Sequence, residues 1–500
     1  MPLPTFVAGF AEEETKKRLA HLVAPHVDSY NYFLEYGLKE AISDMLPVEM
    51  KISEEDGSDP VDSNGKGVYL RMTITNAQIA YPCRKDETSE KLTPREARER
   101  GLTYGGNMVC TVNIQVFKTI SADDSVSTLA DMNITARLGD LPVMVMSTRC
   151  HLRGLSSRQL VHGCKEEANE MGGYFIMNGI ERVIRLLQVP RRNYATAIER
   201  KAFRNRGTQY SNLGVTMRCV RPDQSSVTVT VHYLVNGGAT IRFVLRKQEF
   251  LLPVIIVAKA LADITDKELY DRILQYDSGN TFISTRVELL LRDAKQYGLH
   301  TSADCRAYLG RHFRVFLPIS DRTSDVRAGE ILLERFFFVH APVFHQKLDC
   351  LVHCMRKLFS FAQGRCGGDN ADALMNHELL LPGHLMTLYM KEKLEELLLA
   401  CRLNVLKDMR YGGSTFNAGA ATNPAAAAAA SKQKFMRDSL VSVKYYQKLL
   451  DRNGSSLGNR IGTFLSTGNI VSSTGCDLMQ VSGYTIIGEK LNMFHFMAHF

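Results

Sequence analysis

The run Gly172-Gly173-Tyr174-Phe175-Ile176-Met177-Asn178-Gly179-Ile180-Glu181-Arg182-Val183-Ile184 leaves its backbone one unstrained course. The paired glycines admit a sharp approach because glycine tolerates positive φ. Tyr174 to Met177 then suit a strand, and Asn178-Gly179 suits the two-residue turn in which both central residues take positive φ. Residues 180–186 return as a second strand. The expected element is a β-hairpin.

In and beyond the second strand come Arg182, Arg185, Arg191, Arg192, Arg200, Lys201, Arg204 and Arg206, opposed by Glu181 and Glu199 and interleaved with Tyr194 and Phe203. Such density can follow a phosphate backbone. It equally suits a solvated basic surface or one that faces another subunit, and composition leaves both open. Overall charge decides little, because 61 Lys and Arg against 53 Asp and Glu give only +8 on 500 residues.

The rest of the chain predicts an α+β, multidomain fold of mixed β-sheets and helices, with about three domains at ordinary domain sizes. Residues 12–46 read as a helix with Leu19, Val23, Val27, Tyr30 and Leu34 on one face, interrupted by Pro25. Val68, Leu70, Met72 and Ile74 alternate with polar positions, as do Cys110, Val112, Ile114 and Val116, so both segments read as half-buried strands. Residues 84–100 between them form a surface excursion or a short helix, and residues 141–146 a short buried strand. Val215, Met217, Cys219 and Val227, Val229, Val231 alternate again. Asn236-Gly237-Gly238 then turns the chain into Ile241, Phe243 and Leu245. Helical periodicity follows at 254–261, 267–276, 287–297 and 343–361. Residues 411–434, with Gly412-Gly413, Pro424 and an alanine run, read as an insertion or linker.

Eleven scattered cysteines without paired spacing argue for a reducing compartment. The N-terminus lacks a basic stretch followed by a long apolar one. The longest apolar run, residues 250–262, is too short to cross a bilayer and carries Lys259, so no membrane partner is expected. Leu491, Phe494, Met497 and Ala498 begin an amphipathic helix that stops at Phe500 without a cap, which reads as a truncated chain.

Neither GxxxxGK[ST] nor GxGxxG occurs. Gly454-Ser455-Ser456-Leu457-Gly458 fits GxSxG, but the preceding residues 445–453 look helical rather than like a buried strand, so it reads as a plain turn. Cys350, His353 and Cys354, with Cys366 beyond, lack a CxxC pair and read as packing in an apolar helix face. His495 and His499 have the spacing of HExxH, but Phe496 stands where the glutamate would be, and the pair reads as structural. Asp123-Asp124 lies in a Ser-rich loop and reads as solvated. No catalytic residue and no metal ligand is expected in this stretch of chain.

The hairpin run resembles the second-largest subunits of multisubunit RNA polymerases, and its continuation LLQVPRRNYATAIERK, residues 186–201, resembles specifically the RNA polymerase I version. Other matching pieces lie in order at 26–32, 141–147, 232–234, 356–359, 391–394 and 464–469. The resemblance implies an N-terminal extension at 1–24, a protrusion at 25–195 resuming at 378–459 with the insertion 411–434, a lobe at 196–377, and the start of a fork at 460–500. It implies one wall of the DNA cleft in ribosomal RNA gene transcription, in the nucleus and nucleolus. Its implied partners are the largest RNA polymerase I subunit, smaller polymerase subunits, the DNA template and the RNA–DNA hybrid. The family's Mg²⁺ site lies in the largest subunit and its Zn²⁺ site in a C-terminal part beyond this chain, so no cofactor is assigned to these residues.

Arg191, Arg192, Arg204 and Arg206 are the candidate nucleic-acid contacts from the basic run. Thr467, Gly468 and Asn469 join them as the approach to a fork loop. These 500 residues alone are expected to make no RNA from nucleoside triphosphates. The competing reading is a non-catalytic protein–protein interaction module of a nuclear complex that touches no nucleic acid.

Overall fold

The computed structural model describes residues 8–53, 67–84, 90–119, 126–275, 277, 279–319, 322–411, 442–473, 478, 480 and 482–500. Asp123-Asp124 and most of 411–434, singled out above, lie outside them. The chain forms two compact units, the first from residues 1–187, 380–471 and 479–500, the second from 188–379 and 472–478.

The first unit opens with the helix Ala8–Tyr32, which continues through a wider turn, Phe33–Gly37, into Leu38–Ser43. The expected break at Pro25 does not occur. Pro25 and His21 are both exposed, so the carbonyl that loses its partner to proline turns to water, while Val23, Tyr30 and Phe33 hold the helix from its buried side.

Strands β1 (Val48–Ser53), β2 (Gly67–Ile79), β3 (Gly105–Thr119) and β4 (Val126–Pro142) make one antiparallel sheet in that order. Leu70, Met72, Cys110, Val112 and Ile114 all face its core, as their alternation requires. A short helix, Pro94–Glu99, is capped by Thr93. The short strand expected at 141–146 is instead the end of β4 followed by three buried residues, Val143 to Val145. Their amides bond singly, Val143 N–H to Tyr104 O at 2.9 Å and Val145 N–H to Tyr174 O at 2.9 Å.

The GxSxG segment is not a turn. It lies inside the helix Val443–Thr467, which packs on β4. A Cβ on Gly454 would sit 2.7 Å from Leu138 Cδ2, and one on Gly458 2.9 Å from the Asp140 backbone nitrogen. Two glycines one turn apart therefore let helix backbone approach strand backbone. Gly458→Val is expected to destabilise the first unit by about 2 kcal/mol through overpacking, read as a lower urea midpoint with an unchanged slope.

Beyond β4 the chain reaches the hairpin of β5 (Phe175–Met177) and β6 (Ile180–Ile184), then β7 (Leu187–Pro190), where the second unit starts. There β8 (Ala195–Glu199), β9 (Tyr210–Val220), β10 (Ser226–Leu234), β11 (Ala239–Leu245) and β12 (Gln248–Pro253) pair antiparallel in sequence order. Among the described residues, six α-helices follow between Val254 and Ala362. Thr265, Thr301 and Ser324 cap three of them through their hydroxyls.

Their apolar faces and the sheet bury one core that includes Phe243, Phe337, Phe338, Leu351 and Leu358. Inside it the Lys347 ammonium donates to the carbonyls of Leu333 at 2.8 Å, Glu334 at 2.9 Å and Phe337 at 2.8 Å. Cys354 is buried in that core, Cys350 Sγ lies 3.5 Å from His340 Nε2, and His353 is exposed. The strand β13 (His377–Leu380) pairs with β7.

Back in the first unit, β14 (Thr485–Ile487) adds to β6, making a three-stranded sheet in the order β14-β6-β5. His495 and His499 near the end stack edge to face with ring centroids 4.9 Å apart.

Candidate nucleic-acid interface

The hairpin is held from all sides. Asn178 and Gly179 take φ of 50° and 80°, the positive pair the turn needs. Strand register pairs Phe175 with Arg182, Ile176 with Glu181 and Met177 with Ile180. Gly172 has φ of 72°, and a Cβ there would lie 2.4 Å from Met146 Cβ and 2.5 Å from Val145 O. β14 closes the free edge of β6, with Thr485 opposite Ile184 and Ile487 opposite Arg182.

A charge network anchors it. Arg98 Nη1 donates to Tyr174 Oη at 3.1 Å and to Glu181 Oε1 at 3.1 Å, and Nη2 pairs with the buried Glu166. Burial pushes the Glu166 carboxyl up from its usual range, against the pull of Arg98. Glu170, also buried, accepts from the Gly172 amide at 3.0 Å. Lys490 Nζ lies 3.1 Å from Glu181 and 4.9 Å from the Tyr174 ring centroid. None of Arg98, Glu166, Glu170 or Lys490 was legible as part of this cluster, because their separations in sequence follow no local period.

The basic run divides between the units. Arg182 and Arg185 belong to the first and residues from Arg191 onward to the second. Arg192 is already engaged, its Nε donating to Glu378 at 2.9 Å, and the same carboxylate takes Arg218 at 2.5 Å. Arg206 is half-buried, pairs with Glu249 at 3.0 Å, and lies 5.3 Å from the Phe203 ring centroid, while Arg242 reaches the other Glu249 oxygen at 2.5 Å. Both acidic groups are held below the usual carboxylate range; at Glu378 burial opposes this, and the two arginines outweigh it. Arg191 is exposed, with its guanidinium 5.2 Å from the Tyr194 ring centroid, and Arg204 is exposed with no side-chain partner among the described residues. Of the four candidate arginines, Arg192 and Arg206 are therefore paired with carboxylates, Arg192 while still exposed, and Arg191 and Arg204 face solvent without one among the described residues.

Thr467, Gly468 and Asn469 end the helix Val443–Thr467. Gly468 takes φ of 73° as its cap, its amide donating to Phe464 O at 2.8 Å, and its carbonyl accepts from Tyr484 N–H at 3.0 Å. The Thr467 hydroxyl turns back to Thr463 O at 2.7 Å and also accepts from the Asn469 amide at 3.3 Å. Thr485 Oγ1 donates to Leu465 O at 3.0 Å. The cap therefore leads into β14 and so into the hairpin sheet, and it leaves Asn469 exposed.

Two buried histidines carry a pH signature. His26 donates from Nε2 to Ile184 O at 3.1 Å beneath the hairpin, and His232 sits among Phe203, Tyr210 and Gly214 in the second unit. Burial lowers each to about 4 from 6.5; near His232, Arg206 and Arg242 add to it. Because the unfolded chain binds these protons more tightly, the stability they contribute is full above pH 6.5 and falls toward pH 4. Each is expected to lose about 2 kcal/mol between pH 7.5 and pH 5. Urea melts at both pH values, read by hydrogen exchange in each unit, check this; His232→Gln should flatten the slope in the second unit only.

Among the described residues, no three His, Cys, Asp or Glu side chains converge as metal ligands.

A buried hairpin with an arginine-rich continuation, in a chain of antiparallel sheets and helices, is what the sequence resemblance implied. The chain belongs to the RNA polymerase beta subunit family, matched over residues 21–428. Within it the chain is similar to RNA polymerase I subunits. It is 38% identical over 96% of its length to a probable DNA-directed RNA polymerase I subunit RPA2 of Schizosaccharomyces pombe, covering 38% of that protein. It is 35% identical over 97% of its length to subunit rpa2 of Dictyostelium discoideum, covering 40% of it, and 36% identical over 96% to subunit RPA135 of Saccharomyces cerevisiae, covering 38% of it. The chain thus spans about two fifths of the length of these curated relatives.

Proposed function

We propose that this chain forms one wall of the DNA cleft in a DNA-dependent RNA polymerase I that transcribes ribosomal RNA genes in the nucleolus. It serves there as a non-catalytic part of the second-largest subunit. The observation that carries this is similarity to RNA polymerase I subunits along 96% of the chain. In this reading residues 25–195 and 378–459 form the protrusion, 196–377 the lobe, and residues from 460 lead into the fork. Mg²⁺ and Zn²⁺ are held elsewhere in the complex. The largest subunit, smaller subunits, DNA and the RNA–DNA hybrid are its partners. A tagged chain expressed in its own cells is expected to bring down a much larger polymerase subunit in stoichiometric amount; recovery without one overturns the proposal.

Direct phosphate contact rests on the exposed members of the basic run that have no carboxylate partner among the described residues, Arg185, Arg191, Arg200, Lys201 and Arg204. Arg191→Ala with Arg204→Ala is expected to lower the slope of log affinity against log salt by about 2 for duplex DNA. Arg192→Ala with Arg206→Ala should leave that slope unchanged, because those side chains already face carboxylates. A slope indifferent to Arg191 and Arg204 would assign the patch to protein contact.

A further inference from the structure

β1 covers only part of β2. Pairing between them runs from Ser53 opposite Val68 to Val48 opposite Met72 and stops there, while β3 pairs with β2 from Gly67 all the way to Ile79. Among the described residues, residues 73–79 of β2 therefore have a strand neighbour on one side only. Along the open side runs the turn-and-helix segment Phe33–Ser43, and between the two lie adjoining hollows. One, of about 300 Å³, is floored by Ile42, Leu46, Ile74 and Leu398. The other, of about 320 Å³, is floored by Leu34, Leu38, Ala77 and Ile79. Lys39 lines both.

We propose that this groove is a docking site for an extended segment of a partner protein, which adds to the open half of β2 as a strand. An unpaired strand edge presents alternating N–H and C=O groups that an extended backbone satisfies, and apolar hollows beside it take alternate side chains. The register breaks between Ile74 and Asn76, and Thr75 turns its hydroxyl to Thr111 O at 3.1 Å, so the edge bends where the two hollows meet.

Charge selects the occupant. Lys39 is exposed between the hollows, and Arg149 lines the second with its guanidinium 5.3 Å from the Tyr81 ring centroid. Glu35 is the one carboxylate lining either hollow. Two cations against one carboxylate, around an apolar floor, fit a segment that alternates apolar residues with polar ones and carries net negative charge. This site stands whether or not the basic run touches DNA.

The test presents the full chain to a displayed library of random twelve-residue peptides. Enriched peptides are expected to alternate apolar and polar positions and to be acidic. They should slow amide exchange at residues 73–79 and bind about tenfold more weakly to Lys39→Glu, an exposed substitution whose melting temperature should match the parent. Three results overturn the proposal: no enriched peptide protects 73–79, binding is indifferent to Lys39→Glu, or the enriched peptides lack alternation. Displacement of the peptides by single-stranded DNA of equal charge also overturns it, and gives the groove to nucleic acid.

Discussion

Lys347→Ala is expected to unfold the second unit at temperatures where the first remains folded. Three carbonyls at the end of the helix Asp325–Phe336 converge on the Lys347 ammonium, which is almost fully buried at 2% exposure. A helix end ordinarily leaves its last carbonyls to water or to a glycine cap, and here two of the three belong to the buried Leu333 and Phe337. Burial, with the neighbouring Arg221 charge, lowers the amine to about 8, so at neutral pH it is still mostly charged and donates to the three carbonyls. Truncation leaves three acceptors unpaired, two of them buried, together with a cavity, for an expected loss of about 3 to 5 kcal/mol. Lys347→Arg should not rescue it, since a planar fork cannot point three donors at one cluster of carbonyls. Thermal melts followed by hydrogen exchange in each unit check this; a loss below about 1 kcal/mol would falsify the role assigned to the ammonium.

The second large effect lies beneath the hairpin. Arg98→Ala removes the cation that serves Tyr174, Glu181 and Glu166 together and strands Glu166 in a buried site. The expected loss is about 3 to 5 kcal/mol at neutral pH. Glu166 already sits above its ordinary pKa through burial, so in the variant the folded state favours the protonated carboxyl still more. A carboxyl raised on folding contributes stability below its unfolded pKa and loses it as pH rises, so Arg98→Ala should be mildest near pH 4 and worsen toward pH 8. Adding Glu166→Gln should recover much of the loss, and a double-mutant cycle measures the coupling. Equal loss at both pH values with no recovery places the effect in packing instead.

What the sequence made legible was what local rules govern. The turn at Asn178-Gly179, the hairpin at Asn236-Gly237-Gly238 and the helix Phe344–Ala362 follow from residue types a few positions apart. The first half of β4 escaped notice because Leu129, Ala130 and Asp131 do not alternate, and Leu129 is exposed. GxSxG misled because glycine reads as a turn signal unless its neighbour in space is known, and that neighbour is a strand more than 300 residues earlier. The arginines were visible as a charge run, but Glu378, which neutralises Arg192, lies 186 residues away. Pairing with a distant carboxylate, the property that separates Arg192 and Arg206 from Arg191 and Arg204, has no signature in composition.

The pairing of β7 with β13 has a consequence for how the chain is assembled. Gln188 Nε2 meets His377 Nδ1 at 2.9 Å, and Arg191 N–H donates to Asn376 O at 2.8 Å, so the main segment of the second unit, residues 188–379, starts and finishes at one point. Once it has folded, the rest of the chain experiences it as a short connector. Closing a flexible loop of that length instead of a few residues costs about 3 kcal/mol more in chain entropy. Folding the insert first removes that cost from its host, and for the same reason the insert is a piece that an ancestral gene could lengthen, trim or exchange without re-registering the strands around it.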